Sequence, residues 1–137
     1  MIQFTIYGEP VAQGRPKFST VGGFTRAYDP KKSRDYKDYV RLAAEKYAPP
    51  ALLEGALGLA ITAYRPIPKS FSKKKSADAE SGLIMPTSKP DADNYLKGVK
   101  DALKGIMWKD DSQVVDAFVR KRYSNRPRIE VKIVTLD

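Results

Sequence analysis

The chain has 137 residues, 42% of them hydrophobic and 30% charged, and its 25 Lys and Arg against 16 Asp and Glu leave a formal charge of +9. Such a length predicts one domain, residues 1–137, that buries roughly two-thirds of its unfolded surface, and such a charge predicts a polyanionic partner, nucleic acid ahead of acidic membrane. With no Cys and no His, disulfides, zinc sites built on those residues and imidazole catalysis are excluded, so any chemistry falls to Asp, Glu, Lys, Tyr, Ser or a metal ion.

In chain order, Ile2, Phe4 and Ile6 alternate with polar residues and predict a strand that ends at Gly8-Glu9-Pro10. Residues 8–30 read as a long basic loop or irregular ribbon carrying Arg15, Lys17 and Arg26 among Gly and Pro. Tyr36, Val40, Ala43 and Tyr47 recur at helical spacing from about Ser33, and Pro49-Pro50 stops that helix. Leu57, Leu59, Ile61 and Ala63 alternate along a second strand. Residues 65–90 show no period and read as a second basic loop, with Arg65, Lys69, Lys73, Lys74, Lys75 and Lys89; structureless stretches of that length are uncommon unless functional or disordered. Leu96, Val99, Leu103 and Ile106 predict a helix over about Ala92–Lys104 with Gly105 as its end signal. Val114–Tyr123 and the alternating Ile129, Val131 and Ile133 give two more strands around a turn at Asn125-Arg126-Pro127. The fold class is therefore α/β (α+β): a mixed four-stranded sheet in the order β-α-β-α-β-β with two main helices packed on it. No apolar run approaches the ~20 residues of a membrane span, and no signal-peptide pattern opens the chain. The expected address is cytoplasmic, nucleoid-associated when DNA is bound, with no membrane partner.

Against its basic bias the chain gathers five Asp within 21 positions: Asp91, Asp93, Asp101, Asp110 and Asp111. Hard divalent cations take such oxygen ligands, Mg²⁺ usually with one or two carboxylates plus substrate phosphates. Each acid also has an ordinary reading. Pro90-Asp91-Ala92-Asp93-Asn94 suits a helix start, where an Asp caps free N–H groups and meets the positive end of the dipole. One cap needs one carboxylate, so one of the two can cap while the other ligates. Asp110-Asp111 fits a polar turn. The helix between the clusters is about four turns, or ~20 Å, so the two clusters meet only if the chain folds back after Gly105. Lys97, at i+4 from Asp93, can pair with that carboxylate for only ~0.3–0.5 kcal/mol or reach a phosphate.

The run Lys89-Pro90-Asp91-Ala92-Asp93-Asn94-Tyr95-Leu96-Lys97, then Asp101-Ala102-Leu103 and Trp108-Lys109-Asp110-Asp111-Ser112-Gln113-Val114-Val115, resembles the signature of the RusA family of Holliday junction resolvases. Arg120-Lys121-Arg122-Tyr123 extends the match, and the segments Gly8–Pro16 and Ile67–Lys75 resemble its phage and prophage branch more loosely. No acidic position departs from the pattern; Ala92 stands where an apolar Leu is commoner. The resemblance implies a RusA-like single domain acting as a homodimer, a Mg²⁺-dependent crossover junction endodeoxyribonuclease (Mn²⁺ a substitute, no small-molecule cofactor) that nicks four-way junction DNA in recombination and repair. It places the catalytic and metal-holding carboxylates on Asp91, Asp93 and Asp111, with Asp110 an adjacent acid and Lys97 the catalytic lysine.

Arg15, Lys17, Arg26, Lys69, Lys73, Lys74 and Lys75 are candidate phosphate contacts, although a charge run is also an ordinary solvated face. Phe71 is a candidate wedge at an unpaired junction centre, or a core residue. Trp108 is expected to pack beneath Asp110 and Asp111. Two rival functions stand beside this one: a non-catalytic basic nucleic-acid-binding protein, and a metal nuclease for flaps or single strands.

Overall fold

Leu59, Ile61 and Ala63 of one strand lie directly opposite Ile133, Val131 and Ile129 of another, and all six are at most 2% exposed. Period-two burial of this kind commits one sheet face to the core, and slipping the register by one residue would turn every one of these side chains to the other face. In the computed structural model, which describes residues 1–14, 17–21, 24–28 and 30–136 and only the backbone within 17–28, four strands build that sheet. They are β1 (Ile2–Tyr7), β4 (Leu57–Pro66), β5 (Val114–Ser124) and β6 (Arg128–Thr135), in the order β1-β6-β4-β5. β6 runs antiparallel to both β1 and β4, while β5 runs parallel to β4. The predicted mixed four-stranded sheet is present. β5 and β6 follow one another in the chain yet do not pair, because β4 lies between them.

α1 (Lys31–Ala44) and α3 (Ala92–Leu103) pack together, and their Val40, Ala44, Tyr95, Val99, Ala102 and Leu103 join the sheet's apolar residues in the core. Both helices are amphipathic, so burial of one stripe orients each. Arg41 of α1 donates from Nη1 to the carbonyls of Ala102 and Lys104, both at 3.0 Å, satisfying acceptors at the C-terminus of α3. The amino-terminal segment is fixed to the same helix, with the Gln13 amide donating to the Asn94 carbonyl at 3.0 Å.

Two predicted loops contain regular structure. Within 8–30, β2 (Lys17–Val21) and β3 (Phe24–Tyr28) pair antiparallel as a separate two-stranded ribbon. Within 65–90, α2 (Lys73–Glu80) forms behind an N-cap at Ser72, whose Oγ accepts from the Lys75 amide at 3.2 Å. This helix escapes periodicity because it has eight residues and buries only Ala79.

Candidate active site

α3 begins where extended backbone ends. Asp91 is its N-cap with φ −69° and ψ 149°, yet its carboxylate makes no capping hydrogen bond; the first helical bond runs from the Asn94 amide to the Asp91 main-chain carbonyl at 3.1 Å. Asp91 is exposed, and its carboxylate is not spent on the helix end. Asp93 follows in the first turn, where the helix dipole favours a negative charge. Among the described residues Lys97 forms no ion pair with Asp93, so the i+4 surface pair is not made.

At the far end of α3 the chain turns back. Gly105 has φ +85°, a left-handed conformation that Gly adopts without a Cβ clash, and its amide donates to the Trp108 carbonyl at 2.7 Å. Trp108 is fully buried, and its Nε1 donates to Asp111 Oδ1 at 2.8 Å. The expected packing of Trp108 beneath the acidic pair is thus realised, with the indole holding one carboxylate oxygen of Asp111. Asp110 does different work. Its carboxylate accepts from the Ser112 amide at 3.0 Å, and Gln113 Oε1 accepts from the Asp110 amide at 3.0 Å, a reciprocal capping box for the short 3-10 turn Asp111–Gln113. The Ser112 amide, then the Ser112 hydroxyl, with Lys104 and Lys109 contributing less, hold the Asp110 carboxyl below its ordinary range.

This return brings the two acidic clusters together. Asp93, Asn94, Leu96, Lys97, Lys100, Asp101 and Asp111 line one hollow of about 410 Å³. Neither Asp91 nor Asp110 lines it. Asp91 stands apart because the backbone turns helical immediately after it, so residues two apart no longer share a side. Asp101 takes a place that the sequence reading did not give it. It lies two helical turns after Asp93 on the polar stripe that also carries Lys97, and Lys37 of α1 approaches it at 3.8 Å. That i, i+4, i+8 spacing was the available signal. Among the described residues no three carboxylates stand close enough to hold a metal by themselves. Two carboxylates facing lysines in an open hollow can still bind a hard cation whose remaining ligands are water and phosphate oxygen.

Residues 7–134 match the family described as Endodeoxyribonuclease RusA. The chain belongs to the RusA endodeoxyribonuclease family. It is also 54% identical over 134 residues, 96% of this chain and 94% of the relative, to the uncharacterized protein YqaN of Bacillus subtilis (strain 168).

Of the expected DNA contacts on this RusA chain, Arg15 and the side chains of Lys17 and Arg26 lie outside the described residues. Lys69, Lys73, Lys74 and Lys75 are exposed, the last three in the first turn of α2. Cations there oppose the helix dipole, so helix stability does not explain them. The segment is docked: Phe71 packs edge-on to Tyr123 of β5 at 5.8 Å, Lys75 Nζ lies 4.3 Å from the Phe71 ring, and Glu80 accepts from Ser124 Oγ at 3.2 Å and the Asn125 amide at 2.6 Å. Of the two readings for Phe71, wedge or core residue, the core one is not met: Phe71 is half-buried against Tyr123 and lies outside the buried core.

Proposed function

We propose that this protein is a Mg²⁺-dependent, structure-selective endodeoxyribonuclease that resolves four-way DNA junctions by paired nicks in recombination and repair, acting as a homodimer. One observation carries the reading: Asp93, Asp101 and Asp111 line one hollow together with Lys97 and Lys100 in a chain of the RusA endodeoxyribonuclease family. The donors are carboxylate oxygens, the set a hard cation prefers, and Asp93 and Asp111 would hold Mg²⁺ or its substitute Mn²⁺, with Asp91 as the third acid of the family pattern. Bound there, the ion supplies an activated water and neutralises charge on the phosphate oxygens. Trp108 keeps Asp111 oriented through the Nε1 hydrogen bond. Lys97 reaches toward a phosphate oxygen, where its charge stabilises the transition state. Lys69, Lys73 and Lys74 contact phosphates without reading sequence.

Support for the dimer comes from the sheet face opposite the helices. Gly58, Ala60, Val115, Phe118, Val134 and Leu136 line an open apolar groove, and Val115 and Phe118 are 60% and 51% exposed. Asp116 and Lys132 border the same groove. A two-fold contact must be self-complementary, and a patch carrying both signs around an apolar centre meets that need with a second copy of itself.

Incubation with a synthetic four-way junction, a matched linear duplex and a flap, each with Mg²⁺ or EDTA, tests the function. Metal-dependent cutting of the junction alone is expected. Preference for flaps favours a different branched-DNA nuclease, and binding without cutting under any condition favours the non-catalytic binder.

A further inference from the structure

Two cations of the sheet are committed to backbone carbonyls. Lys121 of β5 donates from Nζ to the carbonyls of Ser88 at 2.8 Å and Pro90 at 2.9 Å, and Arg65 of β4 donates from Nη1 to the carbonyl between them, Lys89, at 3.1 Å. Three successive carbonyls immediately before Asp91 are therefore gripped from the sheet. The register explains how. Lys121 lies opposite Ala63 in the parallel β4–β5 pair, and Arg65 lies opposite Tyr123 two residues on, so both cations project from the helix-covered face at its C-terminal end. Ala63 is fully buried, whereas Lys121 and Arg65 are half-buried at the margin of that core. An ammonium with three N–H donors can serve the Ser88 and Pro90 carbonyls together, and a charged donor roughly doubles the strength of each bond.

We propose that Lys121, assisted by Arg65, is a positioning residue of the nuclease: it fixes the Ser88–Pro90 backbone and thereby the entry of α3, which carries Asp91 and Asp93. This deepens the proposed function and rests on it. The backbone amide of Gln13, bonded to the Asn94 carbonyl, holds the first turn of the helix just beyond Asp93. Asp91 and Asp93 thus sit between two fixed points, and releasing one lets the carboxylates wander. Loss of an outer group that orients a ligand typically lowers metal affinity or activity by about 10–100-fold.

The test compares wild type with Lys121→Met, which keeps the side chain's length without its charge, and Lys121→Arg. Three readouts are taken: amide hydrogen exchange over residues 88–94 in metal-free protein, Mn²⁺ affinity by electron paramagnetic resonance, and the salt dependence of junction binding in EDTA. Lys121→Met should raise exchange in that segment while leaving the β4 and β6 amides protected, weaken Mn²⁺ binding about tenfold, and leave the salt slope of binding unchanged. Lys121→Arg should restore most of the Mn²⁺ affinity. A salt slope lowered by about one, with unchanged exchange and Mn²⁺ affinity, marks Lys121 as a phosphate contact and overturns the proposal. Faster exchange throughout the sheet also overturns it, as a merely structural role. Should Lys121→Met fail to fold, Arg65→Met, which frees the Lys89 carbonyl, is judged by the same readouts. A wild type that cuts no DNA contradicts the nuclease reading instead, since exchange and Mn²⁺ affinity are measured without turnover.

Discussion

Two neighbouring aspartates, Asp110 and Asp111, show how one residue type serves two purposes. Asp110 is spent on a capping box, while Asp111 is aimed into the hollow by an indole hydrogen bond. Asp93→Asn and Asp111→Asn are therefore expected to lower cleavage by more than the about 10–100-fold typical of losing a group that only orients a metal ligand, with thermal midpoint and junction binding retained. Asp110→Ala should do the reverse, lowering the midpoint and sparing cleavage. Its carboxyl is held low, so the cap's stabilisation is present above the ordinary carboxylate value and is lost as pH falls through the lowered one. The difference in midpoint between wild type and Asp110→Ala should accordingly vanish in strong acid, and a pH-independent difference would refute the cap. Tyr36 offers a second case. Its hydroxyl is buried with no hydrogen-bond partner among the described residues, and burial, helped by Tyr39 and Tyr95, raises its pKa above the ordinary 10.0. A raised folded value stabilises fully below pH 10 and is lost as pH climbs beyond it. Tyr36→Phe removes an unsatisfied polar group and should leave stability equal or higher by about 1 kcal/mol at pH 7, with a flatter decline above pH 10 in urea unfolding.

At the scale of elements, what the sequence made legible follows from how much each element buries. Ile2–Tyr7, Leu57–Pro66 and Arg128–Thr135 bury alternate residues, and α3 buries five along one stripe, so their periods stand out. α2 lacks that burial signature, and its segment reads as a loop. For α2, capping and docking contacts rather than a core stripe fix the helix, and such contacts leave little trace in hydrophobic spacing. The site was legible in the identities of Asp93, Asp111 and Lys97, but not in the convergence of the two clusters, which depends on a backbone reversal. Gly105 makes that reversal in a left-handed conformation with open space around its missing Cβ. Gly105→Ala should thus cost about 1–2 kcal/mol through backbone strain alone. Gly105→Asn should cost less, because Asn tolerates that region. Equal losses for Ala and Asn in chemical denaturation would mean that something other than φ governs the turn.

For the whole molecule, the sheet separates two surfaces. Helices and the acidic hollow occupy one side; the other carries the apolar groove around Phe118. Length and charge predicted a basic single domain, but neither could locate the exposed apolar face, since exposure of Val115 and Phe118 depends on which sheet face the helices cover. Phe118→Lys places a charge at the groove while leaving the helix-covered core untouched. Light scattering should then report a folded monomer whose thermal midpoint no longer varies with protein concentration, whereas a persisting dimer would move the interface elsewhere. The account as a whole turns on a cation held between α3 and the returning chain. Crystals soaked in Mn²⁺ and measured at the manganese absorption edge address it most directly. An anomalous peak bounded by Asp93 and Asp111 is the predicted result; manganese bound only elsewhere, with those carboxylates bare, would contradict it.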